Sequence, residues 1–123
     1  MKPYEVLVVS GSEYHLKITT ANAVKLEEQL GKDLLSGLEK LAEIKTLAKY
    51  YLAAAVSLND SISTIDDIYQ LFDDYIVGGG TYDTLQRLIV EVLVTSGIMT
   101  REVYDASKKA MEKQSEALKK LLN

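Results

Sequence analysis

A mainly α-helical fold with a short N-terminal β-hairpin (α+β) is predicted by three features of the chain. Two strand-like runs flank a turn-forming Ser10-Gly11-Ser12-Glu13 near the start. Downstream, apolar residues recur at helical spacing, and Ser, Thr, Asp and Gly fall where helices begin and end. Residues 63–97 read STIDDIYQLFDDYIVGGGTYDTLQRLIVEVLVTSG, a helix, a triple-glycine turn and a second helix. About five helices are expected, packed around that pair.

Taken in order, the hairpin spans 4–19. Its second run alternates, with Tyr14, Leu16 and Ile18 on one face and His15, Lys17 and Thr19 on the other. A lone hairpin is marginal in water, so it must pack on the helices or gain a strand from another chain. A helix over about 20–30 runs through Ala23, Val24, Leu26 and Leu30 and closes at Gly31. A short connector or single helical turn over 32–37 precedes a long helix at 38–58, whose stripe is Leu41, Ile44, Ala48, Tyr51, Leu52 and Ala55. The helix at 64–77 is expected to be capped by Ser63 with Asp66 three residues on. Ile65, Ile68, Tyr69, Phe72, Tyr75 and Ile76 form its apolar stripe, and Asp66, Asp67, Gln70, Asp73 and Asp74 its wet face. Thr81 or Asp83 caps the helix at 82–96, which is apolar almost all round and therefore buried on most sides.

Residues 1–100 thus form one compact body. Thr100 can cap a last helix over 101–123, rich in alanine, lysine and glutamate, with high helix propensity and little area to bury. This helix holds six Lys and Arg against four Asp and Glu, a net of +2, whereas residues 1–100 carry −6. The candidate partner-binding residues lie on it: Val103, Ala106, Ala110, Met111, Leu118 and Leu121. It is either a loosely docked end or an arm whose small apolar stripe is completed by another chain.

Composition narrows the function classes. The chain has 123 residues, 47% hydrophobic and 26% charged, enough for one real core in an ordinary globular domain. Its net charge of −4 argues against a general nucleic-acid binder. Cysteine is absent, which removes disulfides, thiolate metal sites and cysteine nucleophiles and fits a reducing compartment. The apolar runs are too short to span a bilayer, and the N-terminal sequence lacks a signal-peptide layout.

No residue pattern calls for catalysis. Asp66-Asp67 and Asp73-Asp74 are separated by about 10 Å along a helix, too far for both pairs to grip one small cation, and they read as a solvated face. His15, the single histidine, sits on the polar face of a strand. Gly78-Gly79-Gly80 follows an acidic helix rather than a strand and lacks the lysine of a phosphate loop, so it reads as a helix-to-helix turn. The tyrosines read as stripe residues with hydroxyls reaching the surface. No cofactor or metal is expected.

Two stretches carry a family resemblance: YEVLVVSGSEYHLKITTANAVKLEEQLGKDLL and SISTIDDIYQLFDDYIVGGGTYDTLQRLIVEVLVTSG. Over residues 4–98 the chain resembles the tail assembly chaperones of siphophages and prophages of Gram-positive bacteria. The shared pattern is a strand pair ending in Tyr-x-Leu-x-hydrophobic-Thr, a helix closing on Leu-Gly, an acidic helix ending Asp-Asp-Tyr-Ile-x-Gly-Gly, and a helix ending Ser-Gly. The resemblance implies a non-enzymatic chaperone that keeps the tape measure protein soluble while the tail tube polymerises. It would act in the host bacterial cytoplasm and be absent from the mature virion. The implied partners are the tape measure protein and the tail tube protein; the unpaired hairpin edge and the C-terminal helix separately suggest self-association. Nucleic acid and membrane are not among the partners. Relatives are often made in two lengths by ribosomal frameshifting, for which Lys119-Lys120 is a candidate site. The alternative reading is a structural tail or head-tail connector component of the particle.

Overall fold

Threonine opens three of the helices. The computed structural model describes residues 2–106, 109, 120 and 121. Its elements run β1 (Glu5–Val9), β2 (Ser12–Leu16), α1 (Thr20–Leu30), a 3-10 helix at Ser36–Lys40, α2 (Ile44–Ala55), α3 (Ile65–Val77) and α4 (Tyr82–Thr95). The fold is therefore mainly helical: among the described residues these five helices accompany a two-stranded antiparallel N-terminal hairpin, and residues 101–106 are also helical. Thr19, Thr64 and Thr81 stand in extended backbone at the three helix starts, and each hydroxyl accepts from a backbone N–H three residues on.

The cap of α3 is Thr64 and its partner Asp67, one residue later than the expected Ser63 and Asp66. Asp67 Oδ2 accepts from the N–H groups of both Ser63 and Thr64 at 2.9 Å, and Thr64 Oγ1 accepts from Asp67 N at 3.4 Å, a complete capping box. Adjacent Ser63-Thr64 and Asp66-Asp67 offer two equivalent registers to a sequence reading; the hydrogen bonds choose one. The Ser63 and Thr64 amides hold the Asp67 carboxyl below its ordinary pKa. Since a depressed carboxylate pKa contributes stability above the unfolded value and loses it as pH falls, part of this helix start is lost below about pH 4. Thr64→Ala is expected to cost about 1 kcal/mol, or about 4 °C of Tm, read by thermal denaturation. Asp67→Asn is expected to flatten the acid limb of the Tm–pH curve.

The long helix expected over 38–58 is two pieces. Residues 36–40 form the 3-10 helix, a turn follows, and α2 begins at Ile44 with Glu43 extended at its N-cap. Packing on α2 explains the break. Tyr50 Oη donates to the Leu34 carbonyl at 2.5 Å, and Gly37 lies against the same hydroxyl and Leu30, where a Cβ would collide. Leu34 and Leu41 are buried while Ile44 is 47% exposed, so the apparent stripe through Ile44 is not a helix face. Gly37→Ala is expected to cost about 1–3 kcal/mol by overpacking. Tyr50→Phe should relieve part of that cost, so a double-mutant cycle by chemical denaturation should show coupling between the two positions.

The α3–α4 pair lies on α2, which is also packed by α1 and β2. Tyr50, Tyr51, Leu47, Ala48, Ala54 and Ala55 are essentially inaccessible on α2, so its buried surface covers most of its circumference. The small side chains of the Ala53-Ala54-Ala55 run let neighbouring backbones approach: the Ala54 carbonyl accepts from Lys17 N at 2.9 Å. α3 ends at Gly78, and Gly79 turns the chain at φ +100°, a conformation that L side chains rarely adopt.

The hairpin packs on the helices through its inner face and one edge. Leu7, Val9, Leu16 and Ile18 are buried. The Asn59 side chain bonds both backbone groups of His15, accepting its N–H at 3.0 Å and donating to its carbonyl at 2.7 Å. At the end of α4, Ser96 Oγ accepts from Ile18 N at 2.9 Å, and Thr95 Oγ1 donates to Glu5 Oε2 at 2.7 Å. Among the described residues, no helix is long and apolar enough to cross a membrane.

Candidate functional site

The charged and aromatic residues singled out by the sequence fall into local structural roles. On α3, Asp66 and Asp73 are exposed, Asp67 belongs to the capping box, and Asp74 Oδ1 accepts from Gln70 Nε2 at 3.0 Å. The described residues contain no group of three or more His, Cys, Asp or Glu placed to hold a metal ion. His15 is half-buried. Its ring stacks on Tyr4 at 4.1 Å and 15°, and its Nε2 lies 3.6 Å from Glu13 Oε2. The glycine run turns α3 into α4, with Gly80 beneath the Tyr75 ring and Tyr75 Oη 2.7 Å from Thr84 Oγ1.

Two tyrosines depart from the expected pattern. Tyr50 and Tyr51 are completely buried, and their hydroxyls bond backbone carbonyls of Leu34 and Leu85 instead of reaching solvent. Burial pushes both phenols far above their ordinary pKa. Nothing in the helical spacing signals this, because a tyrosine in a stripe satisfies the same pattern whether its hydroxyl points outward or inward.

The junction to the last helix is ordered by polar contacts. Met99 is buried, and Thr100 Oγ1 accepts from Val103 N at 3.2 Å, the expected cap. Arg101 Nη1 lies 3.2 Å from both carboxylate oxygens of Glu91, and its guanidinium stands over the Tyr104 ring at 4.9 Å. Residues 101–106 are helical. Of the candidate partner-binding residues, Val103, Ala106 and Leu121 are exposed, Val103 at 44% and Leu121 at 83%. Ala110, Met111 and Leu118 lie outside the described residues.

The hairpin presents a second surface. His15 turns its backbone groups outward to Asn59, so the opposed pair Val6↔His15 is a non-hydrogen-bonded one. By alternation, the N–H and C=O groups of Val6 and Val8 also point away from β2. Among the described residues neither has a backbone partner on that side. Their side chains are 41% and 56% exposed. The β2 edge is covered by the end of α2, whereas the β1 edge carries no backbone hydrogen bond of Val6 or Val8 among the described residues. A further missed residue is Glu5, only 9% exposed on β1 and held by Thr95, with Lys2 Nζ 3.6 Å from its other oxygen. A carboxylate within a strand carries no sequence mark of burial.

Comparison of the chain with family models, with curated proteins and with solved structures finds no match.

Proposed function

We propose that the protein is a non-enzymatic tail assembly chaperone that keeps a phage tape measure protein soluble during tail assembly. It acts in the cytoplasm of the bacterial host and is left out of the finished particle. The observation that carries this reading is the order of motifs from Tyr4 to Gly97 that resembles the tail assembly chaperones. The surfaces are compatible with it. The β1 edge with Val6 and Val8 suits strand addition, and the exposed start of the last helix suits contact with a helical client. Modest contacts of this kind gain avidity when many copies bind one long chain.

Co-expression with a phage tape measure protein tests the reading. The client's soluble fraction should rise several-fold with the full chain. Removing residues 101–123 should weaken capture while leaving the circular dichroism of the body unchanged. No gain in client solubility rejects the proposal, and recovery of the protein in purified particles points to the structural tail or connector component instead.

A further inference from the structure

The seam between α1 and α2 holds a basic trough. Two adjoining hollows of about 160 and 250 Å³ open along it and share Gln29 and Lys49 in their walls. Lys25, Lys32, Lys40, Lys45 and Lys49 line them, five of the eight Lys and Arg residues in positions 1–100. Glu43 alone among the lining residues is acidic, and its Oε1 accepts from Thr46 Oγ1 at 3.2 Å. Asp33, beside Lys32 in the chain, turns its Oδ2 to Ser36 N at 3.2 Å. Among the described residues none of the five lysines is ion-paired. The floor of the smaller hollow is apolar, made by Leu26, Leu52, Ala53 and Val56. In a chain of net charge −4, five lysines against one lining carboxylate make this a concentrated positive surface, and it favours an anionic partner with some apolar area.

The complementary surface is on α3. Asp66, Tyr69, Gln70, Asp73, Asp74 and Val77 are all exposed, at i, i+3, i+4, i+7, i+8 and i+11. Tyr69 is 39% and Val77 88% exposed, so the face is acidic and apolar together. The α2 wall of the trough repeats the spacing with Lys45, Lys49, Leu52 and Val56 at i, i+4, i+7 and i+11. Each surface is about 16 Å long by helix rise. Asn22 Nδ2 donates to Ser57 Oγ at 2.8 Å, which ties the start of α1 to the end of α2 and places Lys25 near the Leu52–Val56 end. A helix laid parallel to α2 then sets Asp66 against Lys45, Gln70 against Lys49, Asp73 and Asp74 against Lys25, and Val77 over Val56.

We propose that α3 of one copy seats in the α1–α2 trough of a second copy. The two surfaces are different patches of one chain, so the contact is heterologous. Each added copy leaves a free trough at one end and a free α3 at the other, and assembly proceeds to a ring or filament. This stands apart from the chaperone reading, since it is measured without any client.

The test is the mass of the full chain by sedimentation and light scattering at tens of micromolar. Salt is set at about 0.01 M, where charges act over ~30 Å, and at about 1 M, where they act over ~3 Å. Species above the monomer are expected at low salt and should dissociate at high salt. Lys25→Glu with Lys45→Glu in one protein, and Asp66→Lys with Asp73→Lys in another, should each weaken association at least about tenfold, and mixing the two should restore it. Because the chain has no cysteine, Lys49→Cys and Gln70→Cys proteins give a second measurement that needs no charge reversal. A disulfide should form between the two proteins faster than within either alone. A monomer at low salt, assembly indifferent to salt, failure of the mixture to reassemble, or no preferential cross-link overturns the proposal. Binding of duplex DNA through the same lysines without self-association also overturns it, in favour of a nucleic-acid surface.

Discussion

Tyr51→Ala is expected to remove about 3–5 kcal/mol, much of the stability of a domain this size. Tyr51 is completely buried where three helices meet. Its ring meets Phe72 of α3 edge-on at 5.1 Å, and Phe72 in turn meets Tyr82 of α4 at 6.0 Å. Its hydroxyl donates to the Leu85 carbonyl of α4 at 2.7 Å. Truncation therefore opens a cavity shared by α2, α3 and α4. Tyr51→Phe isolates the hydroxyl and should cost about 1 kcal/mol. Burial pushes the phenols of Tyr50 and Tyr51 up, so both ionise in the unfolded chain first. Their contribution is complete below the unfolded value of about 10 and is lost as pH rises above it. Tm should accordingly fall steeply above about pH 10, and the Tyr50→Phe, Tyr51→Phe protein should fall less steeply. Thermal scans across that range with tyrosinate absorbance check both; equal slopes would show that neither buried phenol drives the alkaline limb.

Local physics explains which parts of this fold were legible. The hairpin and the helices α1, α3 and α4 are marked by signals that act within a few residues: alternation in 14–18, a serine or threonine near each helix start, though sequence alone places only Thr81 in its exact capping register, and glycines after Leu30, Val77 and Ser96. The break between residues 40 and 44 carries no such mark. Leu38, Leu41 and Ile44 keep helical spacing, and what ends the helical path is the contact of Gly37 and Leu34 with Tyr50, far along the chain. The burial of Glu5 depends likewise on Thr95, ninety residues away. The basic trough was invisible for a related reason. Its lysines come from α1, the 3-10 helix and α2, where each is an ordinary polar-face residue, and only the packing of α1 on α2 collects them. The acidic residues of the α3 face, confined to one helix, were readable from periodicity alone, but Tyr69, expected in the buried stripe, is exposed there, and Leu71 is buried in the stripe.

Asn59 is the second position where a single change should act strongly, because its side chain stands in for a neighbouring strand. It accepts from His15 N and donates from one amide nitrogen to both the His15 and Ala55 carbonyls, at 2.7 and 2.8 Å. The group requires one acceptor and two donors on a short stem, which among side chains of this length is met by asparagine. Asn59→Ala leaves these partly buried partners without the amide and should cost about 2–3 kcal/mol, at roughly 1 kcal/mol per bond. Asn59→Asp should cost more at neutral pH, since a carboxylate oxygen then faces two carbonyl oxygens. That repulsion raises the folded-state pKa of the new carboxyl above its unfolded value of about 4. The folded state then binds the proton more tightly, so the variant's stability falls as pH rises through that window and recovers as pH is lowered. Protonation restores one donor, so recovery should be partial. Denaturant titrations of the wild type, Asn59→Ala and Asn59→Asp at pH 4 and pH 7 distinguish the outcomes. If Asn59→Asp matches the wild type at pH 7, the amide does not hold the β2 edge, and the hairpin must be retained by its buried side chains and the α4 contacts alone.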